Sequence, residues 1–272
     1  MMKSRTAALP YVVWMVIFIV VPMALVVFFS FTDRSGHFTL ENIVNVGKYS
    51  TVFLRSIWLG ALATVICLLL GYPMAYIISR AAGARQSVMI MLIMLPMWMN
   101  FLLRTYAWMT LLENNGLINR LLGAIGLEPL QLINTQGAVV LGMVYNFLPF
   151  MILPLYSVMA KMDSRVIEAA QDLGANGFKV FYRVILPLSV PGIITGITMV
   201  FVPAVSTFII SKMLGGGANL LIGDLIDMQF LGNSYNPNLG SAISLVLMVL
   251  ILICMGIMNQ FDDGENTGGM MI

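Results

Sequence analysis

Apolar residues gather into six long runs, at residues 10–31, 56–79, 87–112, 137–158, 188–211 and 239–258, separated by connections rich in charge, glycine and amide side chains. A helix rises 1.5 Å per residue, so about 20 apolar residues span the hydrocarbon of a bilayer, and each run is long enough. The pattern predicts an all-α membrane protein with six transmembrane helices. Breakers fall inside several runs: Gly60, Gly71 and Pro73 in the second, Pro96 in the third, Pro149 and Pro154 in the fourth, Pro191 and Pro203 in the fifth. Such residues are tolerated at membrane depth where neighbouring helices cover the freed backbone groups.

The connections differ in character. Residues 33–55 read as an external segment with Phe38, Leu40 and Val44 free to pack locally. Residues 80–85 make a short positive turn. Between 113 and 136, Gly116, Gly123, Gly126 and Pro129 argue against one continuous helix. The longest polar connection, 159–187, carries a short amphipathic pattern in which Val166, Ala169 or Ala170, and Leu173 return at helical spacing. Asp163 or Ser164 can cap its first amides, and Gly174 is a natural exit. Phe178, Phe181 and Ile185 then lead to Pro187, where a new segment can begin. A loop helix lying on the bilayer surface would show a wide Trp, Phe or Leu face. The alanine-rich face here suits close docking against another protein.

Composition agrees with the pattern. Of the 272 residues 60% are hydrophobic and 10% charged, where a soluble domain carries about 25% charged residues. The net charge of +2 includes no basic block, which removes nucleic acid as an expected partner. His37 is the single histidine, and Cys67 and Cys254 sit inside apolar runs, so no metal-ligand spacing exists. There is no phosphate loop, no His-Glu-x-x-His motif and no nucleophile elbow; Gly215-Gly216-Gly217 lacks the following lysine and reads as an external turn. Lys3, Arg5, Arg80, Arg85, Lys161, Arg165, Lys179 and Arg183 share one side of a six-crossing layout, and the positive-inside rule makes that side, with both termini, cytoplasmic. The expected organisation is a cytoplasmic stretch 1–9, a transmembrane domain 10–258 containing the loop 159–187, and a flexible cytoplasmic tail 259–272.

Polar and charged groups near apolar runs mark candidate chemistry: Asn100, Arg104, Glu113, Asn146, Asp224 and Asp227. Trp98, Tyr106, Trp108, Tyr145 and Tyr156 lie around the same crossings. Plainer roles exist for each: Arg104 with Glu113 as a pair, Asp224 and Asp227 as caps of a loop helix, the aromatics as an interfacial belt. The alternative is a path that attracts a cationic solute through ring faces and carboxylates.

With these residues in hand the chain resembles the permease subunits of binding-protein-dependent ABC importers, and within them the B-type permeases of the spermidine/putrescine branch. The family signature is Glu-Ala-Ala, three residues, Gly, nine residues, an aliphatic residue, one residue, then Leu-Pro. Glu168, Ala169, Ala170, Gly174, Val184, Leu186 and Pro187 satisfy it. Residues 70–75, 141–145, 148–154, 168–195, 219–223 and 229–231 resemble the polyamine branch. The resemblance implies a MetI-like transmembrane domain, with 159–187 forming the coupling loop to an ATPase. It implies a homologous C-type permease, two copies of a cytoplasmic ATPase and an extracytoplasmic polyamine-binding protein as partners, in a bacterial cytoplasmic membrane. The chain itself would be no enzyme and bind no cofactor, ATP and magnesium belonging to the ATPase. Trp98, Glu113, Tyr145, Asp224 and Asp227 are the candidate solute-pathway residues. An importer for an anion, an iron complex or an amino-acid derivative would rely instead on Arg104 and Arg120, and an ion-gradient-driven transporter is the rival of another class.

Overall fold

The computed structural model describes residues 3–232 and 234–268. They form helices joined by turns, with one isolated bridge between Thr32 and Phe38. In chain order the helices are α1 (Leu9–Ser30), α2 (Glu41–Val46), α3 (Ser50–Arg80), α4 (Ala84–Trp98), α5 (Phe101–Leu112), α6 (Leu117–Ala124), α7 (Gln136–Met159), α8 (Ser164–Asp172), α9 (Gly177–Ser206), α10 (Ile209–Leu214), α11 (Ile222–Phe230) and α12 (Pro237–Met258). Five of them, α1, α3, α7, α9 and α12, are long and apolar enough to cross a membrane, and α4 with α5–α6, bent by 88°, makes six if the pair is one span. The helix of α12 continues to Gly268, and residues 269–272 of the expected tail, like residues 1 and 2, lie outside the described residues.

The centre of the bundle is α7, with 67% of its most apolar stretch buried, against none of that of α1. It packs between α3 and α9, and the three share a core that includes Leu59, Cys67, Met143, Met151, Leu155 and Val200. Lipid tails are as apolar as leucine, so contact between these helices gains little from the hydrophobic effect and depends on close van der Waals fit. Small residues provide it: Gly71 of α3 and Gly196 of α9 both close on Met151 of α7. A second cluster joins Val46 and Phe53 to Val205, Ile243 and Leu247, and so seats α12 against α2, α3 and α9. The outermost span is α1, which reaches the bundle through α12. Its interior contains a wider π turn at Val16–Val20.

Several expectations need correction. The third run is not one helix interrupted at Pro96: α4 continues through Pro96 to Trp98, Met99 is extended, and the direction changes by 88° before Phe101. The turn happens at Asn100 because its side chain accepts the Leu102 and Leu103 amides and starts a new helix. Residues 33–55 are not wholly a connection, since α2 lies within them and α3 already begins at Ser50. There Phe38 stacks on Phe31, whereas Leu40 and Val44 remain exposed and Val46 and Phe53 are buried. The fifth span starts at Gly177 rather than 188 and ends at Ser206. Its chain passes through a π turn at Phe181–Ile185 into a regular helix at Leu186, so the proline continues a helix already under way. Gly116 caps α6, and after Gly126 the chain is irregular to Thr135, as the glycine spacing predicts.

After Ser206 the chain folds back as α10 and α11. The amide of Ile222 donates to the Ser56 hydroxyl of α3, 2.9 Å away, so the start of α11 is tied to the middle of the bundle. Gly223 sits directly against the last carbonyls of α9: a Cβ there would lie 2.6 Å from the Ser206 and Thr207 oxygens. Both obstacles are backbone, so Gly223→Ala forces the elements apart. The expected loss is about 1–3 kcal/mol, seen as a lower Tm of the purified full chain in detergent. Gly123→Ala, in a helical position with open space around it, should leave Tm unchanged or slightly raised.

Candidate coupling surface and solute pathway

The connection 159–187 is closed by its own hydrogen bonds. Asp163 starts α8 by accepting the Arg165 amide at 3.0 Å. At the other end the Gly174 amide donates to the Gln171 carbonyl and the Ala175 amide to the Ala170 carbonyl. Those two bonds are the Schellman closure, and it requires the left-handed backbone that Gly174 adopts at φ +81°. Asn176 then accepts the Lys179 amide and starts the next helix within two residues. Glu168 and Ala169 are exposed on α8, and Ala170 is half-buried.

The first turns of α9 are anchored to the bundle. Val180 and Ile185 are buried, the Phe181 ring meets Tyr72 of α3 edge-on at 5.6 Å, and the Tyr72 hydroxyl shares a hydrogen bond with Ser189 at 2.8 Å. Leu186 lies half-buried in the first turn after the π segment, with Pro187 exposed beside it. Against this anchored base, a set of large apolar side chains projects from an otherwise charged connection. Leu173 is 89% exposed and Phe178 75%, with Val166 and Tyr182 also open. Their position next to Lys161, Arg165, Lys179 and Arg183 places them outside the bundle's own packing and among charged groups.

The five candidate pathway residues divide into two groups and two outliers. Asp224 and Asp227, one turn apart on α11, line a small cavity of about 80 Å³ with Ser211, Lys212, Gly217 and Met228. Asp224 is buried and accepts the Leu221 amide at 2.8 Å, which is the helix-capping role open to it from the sequence. Asp227 does not cap; its carboxylate takes the Lys212 ammonium at 2.9 Å. That is the one ion pair among the described residues. The lysine side chain is two-thirds exposed, so the pair contributes on the order of 1 kcal/mol or less. Such a pair can be exchanged for another ammonium without large cost.

Tyr145 belongs to a different group, on α7. Trp108 meets its ring edge-on at 5.4 Å, and the Arg104 guanidinium lies 6.0 Å from the ring centre and 5.8 Å from that of Phe101. Arg104 is buried without pairing to Glu113: it donates from Nη1 at 2.6 Å to the Pro96 carbonyl, which also accepts the Met99 amide at the end of α4. The cation-attracting ring face of Tyr145 is thus already shared with a cation of the same chain. Trp98 is 76% exposed where α4 ends, and Glu113 is exposed just beyond α5; neither joins the aspartates or Tyr145.

A charge-poor bundle of long apolar helices with a Schellman-closed loop helix bearing open apolar groups describes a membrane-embedded body with an exposed docking surface. The chain belongs to the family of binding-protein-dependent transport system inner membrane components, whose model matches residues 86–264. Among its relatives is the spermidine/putrescine transport system permease protein PotB of Haemophilus influenzae, 42% identical over 250 residues that cover 88% of this chain and 87% of the relative. The fold is shared with a solved bacterial alginate ABC transporter in complex with an alginate pentasaccharide-bound periplasmic protein. There the TM-score is 0.76 at 19% identity, covering 95% of this chain and 93% of the other. It is shared more loosely with the inward-facing MetNI methionine ABC transporter, at TM-score 0.57 and 14% identity, covering 78% and 93%. The all-α, MetI-like transmembrane domain expected from the sequence is the observed one.

Burial pushes the Asp224 carboxyl above the usual aspartate range, against the opposing pull of the Ser211 hydroxyl, the Leu221 amide and the Lys212 ammonium. A folded chain that holds this proton to higher pH than the unfolded chain loses stability as pH rises from the ordinary aspartate pKa to the raised one. Asp224→Asn keeps an oxygen for the Leu221 amide and removes the titration. Melting curves from pH 4 to 7 should therefore show a smaller fall in Tm with rising pH for the asparagine variant.

Proposed function

We propose that this chain forms half of the membrane pathway of an ATP-driven importer for spermidine and putrescine. A homologous C-type permease would form the other half, two copies of a cytoplasmic ATPase would drive the pair, and an extracytoplasmic polyamine-binding protein would deliver the solute. The observation that carries the reading is the open apolar set Val166, Leu173, Phe178 and Tyr182 on the anchored connection around α8. Apolar groups of this size beside charged ones mark a protein interface. The signature residues Glu168, Ala169, Ala170, Gly174, Leu186 and Pro187 lie in the same connection, and the named relatives supply the substrate class. On this reading the ATPase docks on α8, and the positive-inside rule puts α8 and both termini in the cytoplasm.

The mechanism is alternating access between two arrangements of the membrane pair, biased because ATP binds the closed ATPase dimer more tightly than the open one. ATP and magnesium act on the partner; this chain transmits. Val180, Ile185 and the Tyr72–Phe181 contact would carry motion of α8 into α3 and α9, because packed elements shift as units rather than bend. For the solute, Asp227 and Tyr145 are the two places where a polyamine ammonium would be held, each by displacing a cation of this chain, Lys212 or Arg104. Exchange of one ammonium for another keeps binding weak enough for release. Trp98 and Glu113 would act, if in the path, only at its mouth.

The direct test is vesicle reconstitution of both permeases with the ATPase and binding protein. ATP-dependent uptake of labelled spermidine, competed by putrescine and abolished without the ATPase, is the expected result. Uptake of an inorganic anion or amino acid in its place would transfer the reading to another importer of the same family. Gly174→Val strains the Schellman closure where nothing blocks the side chain itself. Assembly and Tm should stay near those of the unaltered protein, while uptake and binding-protein-stimulated ATP hydrolysis fall together by roughly tenfold, about 1.4 kcal/mol of coupling.

A further inference from the structure

The end of the bundle that carries α8 also carries the tight turn between α3 and α4, and two recesses meet there. The first, about 450 Å³, runs between α3 and α9 and is almost wholly apolar; its walls include Leu68, Tyr72, Pro73, Phe181 and Ile193. The second, about 750 Å³, opens at the turn itself and is lined by Ala81, Ala84 and Met89 together with Arg80 and Arg85. Tyr76 and Ile77 line both, so the two adjoin along this stretch of α3. The combined shape is an apolar trough along a membrane-spanning helix that ends under a pair of guanidinium groups.

Neither arginine is committed elsewhere in an ion pair: among the described residues the only such pair is Lys212 with Asp227. Arg80 is held over the mouth by its own neighbour, its guanidinium 5.4 Å from the Tyr76 ring centre. Gly83, at φ +57°, lets the chain reverse within the turn and brings Arg85 back beside the same recess. The sequence accounts for the charges as topological signals, but a topological signal requires only that they lie on one side of the membrane. It does not require that both border one recess next to an acyl-sized apolar trough.

We propose that this trough is a binding site for an anionic phospholipid of the leaflet at the α8 end of the molecule, with the phosphate on Arg80 and Arg85 and one acyl chain along Tyr72, Tyr76 and Ile77. Three physical features select this occupant. The trough lies on a span at membrane depth, where the surrounding solvent is lipid. Its polar end is positive and bidentate arginine geometry fits phosphate oxygens. Basic pockets between spans at the membrane surface favour anionic head groups by about fivefold for each arginine. The site also touches the transmission path, since Phe181 of the π turn forms part of its wall. A bound lipid would thereby brace the contact between Phe181 and Tyr72 through which α8 is anchored.

The test uses the full chain purified in mild detergent and given equal amounts of phosphatidylglycerol and phosphatidylcholine, with retained lipid counted by native mass spectrometry. The unaltered chain should keep phosphatidylglycerol at least fivefold over phosphatidylcholine. Arg80→Gln with Arg85→Gln should abolish the preference, and Arg80→Lys with Arg85→Lys should restore part of it; both pairs alter exposed side chains and should leave Tm unchanged. Ile77→Trp should reduce retention of both lipids by filling the trough while leaving the arginines in place. Equal retention of the two lipids by the unaltered chain, or a preference that survives the double glutamine change, overturns the proposal. So does loss of the preference in millimolar inorganic phosphate with no loss in the tryptophan variant, which would make the site one for free phosphate. A photoreactive group at Ile77 that couples to a second protein subunit rather than to lipid, in native membranes, would equally overturn it.

Discussion

A backbone amide or carbonyl left unpaired in hydrocarbon costs several kcal/mol, and the breaks between the spans of this molecule are shaped by that constraint. The chain does depart, at the 88° bend after Trp98 and at the fold-back after Ser206. At each place a side chain from the interior repairs the damage. Asn100 accepts two amides of α5, Arg104 gives the Pro96 carbonyl of α4 a second donor beside the Met99 amide, Asp224 accepts the Leu221 amide, and Ser56 accepts that of Ile222. Polar residues in the membrane region are therefore not spare chemistry waiting for a solute. Much of their capacity is already used in holding irregular backbone, and only the remainder is free for transport.

That division explains the character of the candidate pathway. A transporter gains nothing from a deep, permanent well, because a solute bound too tightly does not leave. The two features of this chain suited to cations each have a resident cation, Lys212 on Asp227 and Arg104 near Tyr145. The two are held differently. Lys212 is largely exposed and weakly paired, whereas Arg104 is buried and bonded to the bend. Displacing Lys212 costs little; displacing Arg104 would loosen the α4–α5 corner. Asp227 is thus the softer of the two positions, and Tyr145 is tied to a structural joint.

The connection around α8 has the opposite design. Outside the bilayer, water can satisfy backbone groups, yet here the loop is closed by its own bonds, from the Asp163 cap through the Gly174 closure to the Asn176 cap. Little slack remains between α8 and the buried Val180 and Ile185. The exposed apolar groups Val166, Leu173, Phe178 and Tyr182 sit on this closed connection.

The linear order of residues was enough to establish the class of fold and the local hydrogen-bonded form of the connection 159–187. Six apolar runs count the crossings, and the requirements of Asp163, the alanines and Gly174 are local, satisfied within a turn or two of helix whatever the rest of the chain does. The spans were misjudged where a polar residue did unexpected work: Asn100 restarts a helix after Trp98. They were misjudged again where the π turn at Phe181–Ile185 carries the fifth span on past the sequence's break signals. The pathway was only half legible. Asp224 and Asp227 stood out as charges near apolar material, but pairing with Lys212 depends on the fold-back of α10 against α11, and the tie from Ile222 to Ser56 joins residues 166 apart. Trp98 and Glu113 carried the same signal as Asp227 and ended apart from it, because a residue's type records the cost of burying it and not which neighbour relieves that cost. Contacts across so many residues are set by how whole helices pack, and that only the tertiary structure decided.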